Sequence, residues 1–188
     1  MGIEHAERVQ VKVFAEGDTP DVMALIPVFH QWIQKDAIDG ELLIDVADYS
    51  HVHQGPGVML IGHGSDLYFD LGDGRPGVLF SRKRAFDGTL EGRLRDAIER
   101  ALRAASLLEK EDLSLRFATT ELLVRVPDRL HAPNTDESFA VLKGLIETIA
   151  KEIFGTDARV ERTGDARDAL GARVTIENAP SLQKLSAN

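Results

Sequence analysis

No cysteine occurs among the 188 residues. That absence removes disulfide frameworks, thiolate catalysis and iron–sulfur ligation together. No apolar run approaches the ~20 residues needed to cross a bilayer. The start, Met1-Gly2-Ile3-Glu4-His5, lacks the basic-then-apolar order of a secretory leader, so a cytoplasmic location with no membrane association is expected. A surplus of positive charge is missing too. With 31 acidic and 22 basic side chains the formal net charge is −9. Gripping a nucleic-acid backbone needs a dominant basic face, so no nucleic-acid partner is expected, and the acidic surplus serves solubility.

Diagnostic motifs are lacking as well. There is no Gly-x-x-x-x-Gly-Lys-Ser/Thr loop and no Gly-x-Gly-x-x-Gly running from a strand into a helix. Neither a Gly-x-Ser-x-Gly elbow nor a His-Glu-x-x-His helix is present. The one tryptophan, Trp32, falls on a helix face and reads as a core or interface residue. These absences leave the identity of any cofactor open.

What remains has an ordinary globular composition, 43% hydrophobic, and a length suited to one domain. Arg8 to Ala15 alternates Val9, Val11 and Val13 with Gln10 and Lys12, the period of a strand. Pro27 to about Ala37 reads as a helix, with Val22–Ile26 as a separate turn, because proline suits a first helical position. Strands follow at Glu41–Ala47, Val58–Ile61, Asp66–Leu71 and Val78–Ser81. Their glycine-rich connectors are too short for a crossover helix, so neighbours should run antiparallel. Val58–Ile61 is apolar on both faces, as in a strand flanked on both sides. Leu67, Phe69 and Leu71 alternate with Asp66, Tyr68 and Asp70, which predicts one wet face.

Thr89 to Glu109 carries Leu90, Leu94, Ile98, Ala101, Ala105 and Leu108 on one helical stripe, with Glu91/Arg95, Asp96/Arg100 and Glu99/Arg103 spaced for ion pairs. Thr135 to Phe154 reads as another helix, with Phe139, Leu142, Ile146, Ile149 and Ile153 inward. Asn134 with Glu137 resembles a capping box, and Gly155 is placed to stop the helix. Leu113–Val126, Ala158–Arg162 and Ala172–Ile176 supply the remaining strands. The expectation is an α+β fold: a mixed, largely antiparallel sheet with a central β-meander and two or three packed helices. Residues 1–177 form one domain, and Asn178–Asn188 reads as a flexible polar tail. The order strand–helix–strand–strand of Val9–Ile61 recurs in Glu121–Ile176, compatible with duplicated βαββ halves or with coincidence, since residue identities do not repeat.

The meander sorts polar residues into two poles. One gathers Asp48, His51, His53, Asp73 and Arg75, with Asp70 and Asp45 near. Imidazoles and carboxylates together suit a divalent metal or acid–base work. His63 cannot join them, because a strand of about 20 Å (at about 3.3 Å per residue) separates it from His53. The other pole gathers His63 with Arg82, Lys83 and Arg84 just before a helix start, a setting for a small anion. Two function classes follow. The first is a non-catalytic binding or assembly module recognising a small anionic ligand at Arg82, Lys83, Arg84 and His63. The alternative is a metal-dependent enzyme, a hydrolase, working from the His51/His53/Asp48/Asp73 cluster. Self-association is compatible with the first.

Overall fold

The protein is described by a computed structural model covering residues 2–84 and 88–185. The valine alternation becomes β1 (Gln10–Ala15), and a 3-10 turn at Val22–Ala24 leads into α1 (Leu25–Lys35). The helix thus begins two residues before Pro27, which sits in the first turn, where its missing N–H has no intrahelical role. β2 (Leu43–Tyr49), β3 (Gly57–Gly62), β4 (Ser65–Asp70) and β5 (Gly77–Arg82) follow, then α2 (Leu90–Leu108), β6 (Phe117–Val126), α3 (Asp136–Phe154), β7 (Ala158–Thr163), β8 (Leu170–Ile176) and a short α4 (Leu182–Leu185).

The strands make one eight-stranded sheet in the order β2-β3-β4-β5-β1-β6-β8-β7. Every neighbouring pair is antiparallel. The expected meander is β2 to β5, and β3 is flanked on both sides, by β2 and β4. β1–α1–β2–β3 and β6–α3–β7–β8 share one order of elements. In the sheet, β8 lies beside β6, whereas the β4–β5 hairpin stands between β3 and β1.

α1 packs on β2 and β3, α2 on β1 and β5, and α3 on β7 and β8. Their inward stripes meet Val9, Val11 and Val13 in one continuous core, with Ile98 and Ile146 essentially inaccessible. Trp32 is a core residue, its ring tilted against that of Phe29 at 5.5 Å between centroids, and it donates its indole N–H to Glu111 at 2.8 Å. The Glu91–Arg95 and Asp96–Arg100 pairs form along α2. Gly155, at φ 73°, ends α3. One expectation changes: the cap of α3 is Thr135, whose hydroxyl accepts from Ser138 N, and Asn134 serves elsewhere. Beyond Ile176, Leu182 is buried, and Ala179 and Leu185 pack on the core.

Candidate functional site

Side chains of a strand alternate between faces, so the cross-strand register defines what the second face of the sheet presents. One row across it runs Tyr68, Leu79, Lys12, Leu123, Arg173, Glu161. A parallel row runs Asp66, Ser81, Gln10, Arg125, Gly171, Thr163. Phe14, Leu79 and Leu123 on this face are buried yet lie outside the helix-packed core. Among the described residues no helix covers them. Their own charged neighbours do.

Lys12 is the centre of that cover. Its exposure is 0%, and its ammonium donates to Asp70 Oδ2 at 2.5 Å and to the carbonyl of Gly72 at 2.7 Å, with Asp73 Oδ2 at 3.5 Å. The side chain runs across Gly77, where a Cβ would stand 3.1 Å from Lys12 Cε and 2.4 Å from Val13 O. Glycine is required there by close approach rather than by turn geometry. Asp73 arrives through a tight turn in which it and Gly74 both have positive φ, 60° and 74°. It receives a bidentate pair from Arg125. Burial works to raise the Asp73 carboxyl, but the Arg125 hydrogen bonds and charge, with Lys12 behind them, outweigh it and hold it below the ordinary aspartate range.

A second network sits beside the first. Glu121 accepts from Arg75 at 2.7 Å and also from Arg173. The Arg75 guanidinium lies 4.2 Å over the Phe14 ring, with Arg173 at 5.7 Å and Lys12 at 5.4 Å, so the ring quadrupole is met by cations instead of a second protein layer. Toward β4, burial, together with the charge of Asp66 and the hydrogen bond to it, pushes the Tyr68 phenol up to about 12.

Next to Arg125 and Arg173 the face sinks into a cavity of about 390 Å³, lined by Asp73, Leu123, Arg125, Arg173 and the β7–β8 turn through Gly164, Asp168 and Ala169. That turn is held from beneath. The amide of Asn134, 2% exposed, donates to the carbonyls of Thr163, Asp165 and Ala169 at 3.1, 2.9 and 3.3 Å. Its oxygen in turn accepts from Arg162 Nε at 2.6 Å. The cavity wall is therefore fixed by a satisfied buried group.

Of the residues singled out from the sequence, Asp73, Asp70 and Arg75 lie in these networks on this face, and the others lie elsewhere. His51 and His53 are exposed in the β2–β3 turn. Asp48 turns back on its own loop, where the Ser50 hydroxyl and amide hold its carboxyl below the usual range. Asp73 is engaged by Arg125 and Lys12 instead. No group of three or more His, Asp or Glu able to hold a metal occurs among the described residues.

At the other end of β3, the turn bearing His63 and the end of β5 do meet: the amides of Lys83 and Arg84 both donate to Gly64 O. The three basic side chains do not form one patch. Arg82 reaches Asp96 on the helix side, while Lys83 pairs with Asp66 at 2.7 Å on the other face. Arg84 and His63 are exposed. The donors that would greet an anion, Gly64 N and the Ser65 hydroxyl, are bound by the Glu41 carboxylate. Residues 85–87, between this turn and α2, lie outside the described residues. Arg125 and Arg173 carried no local motif; their only sequence signal was charge recurring within β-periodic segments, and Asn134 read only as a helix cap. The sequence matches no protein-family model and shows no significant similarity to a curated protein.

Proposed function

We propose that the chain is a non-catalytic binding module for a small ligand with an anionic group, and that the uncovered sheet face holds the ligand at Arg125 and Arg173. The observation that carries this reading is the cavity of about 390 Å³ beside two guanidinium groups. Its size falls in the ~300–1,000 Å³ range of small-molecule sites. A guanidinium has five N–H donors; Asp73 engages the two terminal nitrogens of Arg125, and Glu121 engages one nitrogen of Arg173. Donors remain to receive a carboxylate or phosphate. The basic turn offers less, since Glu41, Asp66 and Asp96 already supply its anions. Against catalysis stands the sealing of Lys12, a nucleophile with no route to a solute at 0% exposure.

Calorimetric titration at low salt against carboxylates, phosphates and amino acids tests the reading. Arg125→Gln with Arg173→Gln should abolish binding, and added salt should weaken it through screening. Arg84→Ala should leave affinity unchanged. Circular dichroism first establishes that each variant folds. Absence of binding by any probe, or loss only with Arg84→Ala, would sink the assignment; the latter would return the ligand to the basic turn.

A further inference from the structure

The charge pattern of the same cavity says more about its ligand. Resting on the binding reading above, we infer that the cavity takes an amphoteric molecule bearing a carboxylate and an ammonium group, in the simplest case an α-amino acid. Four charged side chains line the cavity: Arg125 and Arg173, Asp73 and Asp168. Asp73 is turned to Arg125 and Lys12. Asp168 is different. It has no cationic partner among the described residues, and the one hydrogen bond its carboxylate makes there, accepted by Oδ2 from Asp165 N at 2.8 Å, belongs to the turn. The remaining carboxylate oxygen meets no protein donor among the described residues.

The cavity thus has a cationic wall on β6 and β8, an anionic wall on the β7–β8 turn, and an apolar floor at Leu123. A simple anion would satisfy the arginines but lie close to Asp168. A simple cation would satisfy Asp168 but face two guanidinium groups. A ligand with both charges leaves neither wall opposed by like charge, which is how specificity arises from repulsion as well as attraction. Asn134 holds the anionic wall through three carbonyls of that turn, so little ordering is left to be done on binding.

The test compares matched pairs: L-alanine with propionate, L-leucine with 4-methylpentanoate and L-phenylalanine with 3-phenylpropanoate, titrated into the full chain at low salt. At least one amino acid should bind about tenfold or more tighter than its des-amino acid, the worth of one charge-assisted hydrogen bond. Asp168→Asn keeps an oxygen for Asp165 N and should erase that preference, weakening the amino acid and, with the opposing charge gone, strengthening the carboxylic acid. Equal affinity within every pair would overturn the amphoteric assignment and leave the anion-binding reading standing. Binding of neither member of any pair, with other anions also silent, would overturn both. Should Asp168→Asn disturb the turn, Asp168→Glu supplies the control, because it restores the charge and should restore the preference.

Discussion

Lys12 offers the sharpest test of how the uncovered face is held. In Lys12→Met most of the aliphatic stem survives and the ammonium is lost. Asp73 keeps Arg125, but Asp70, 9% exposed, loses the ammonium at 2.5 Å. Gly72 O loses its donor as well. Removing one partner of a buried pair costs about 3–5 kcal/mol, because the other charge stays behind undersolvated. An unmet carbonyl adds roughly 1 kcal/mol or more. The loss in Lys12→Met is therefore expected in the 3–5 kcal/mol range or slightly above. Replacing the pair in Lys12→Met/Asp70→Leu removes the stranded charge, and apolar substitutes for buried pairs are often neutral, so the double variant should be more stable than Lys12→Met alone. Urea denaturation followed by Trp32 fluorescence measures this, since the single tryptophan is 3% exposed and reports core opening. A Lys12→Met midpoint within about 0.5 kcal/mol of wild type at equal m, or additive losses in the double variant, would refute the reasoning.

Other expectations concern acid and the helix cores. Asp73 is held below the ordinary aspartate value of 3.8, so its stabilisation is full above that value and disappears as pH falls through the lower folded one. Asp73→Asn should accordingly be less stable than wild type by a constant amount from neutral pH to about 5, with the two curves converging in stronger acid; a gap that widens on acidification would reverse the assigned sign. Ile98→Ala and Ile146→Ala, at 1% and 0% exposure, should each lose about 2–5 kcal/mol in chemical denaturation, and wild-type midpoints for both would mean that the helices pack on other faces.

The backbone architecture was legible because its signals are local. Alternating valines, short glycine-rich connectors and the apolar stripes of α2 and α3 each constrain a few adjacent residues, and those constraints agree. The site was not legible, for reasons that individual residues make plain. Lys12 alternates with valines and so reads as solvent-facing, yet its partners Asp70 and Gly72 are supplied by a hairpin about sixty positions later. Asp66 and Asp70 read as a wet face for the same reason and are buried under cations from elsewhere. Arg82, Lys83 and Arg84 are contiguous, but the strand pleat sends consecutive side chains to opposite faces, which splits a run of charge that looks like a patch. Asn134 shows the limit of motif reading: its spacing to Glu137 fits a cap, while the carbonyls that needed its amide lie about thirty residues ahead.

The position of β1 in the middle of the sheet bears on the order in which the chain leaves the ribosome. β1 through β5 can pair among themselves as β2-β3-β4-β5-β1, and α2 follows at once to cover the valine face of β1. One side of β1 then still waits for β6, which begins at Phe117, about 35 residues after Arg82. At ~5–20 residues per second this leaves a bare strand edge for roughly two to seven seconds. Within that interval the groups that meet Lys12 are already in place, because the Asp70 and Asp73 carboxylates and the Gly72 carbonyl all precede α2. The nascent sheet therefore presents a charge-compensated face beside its open edge, and Arg125, arriving with β6, closes the edge and completes the Asp73 pair in one step.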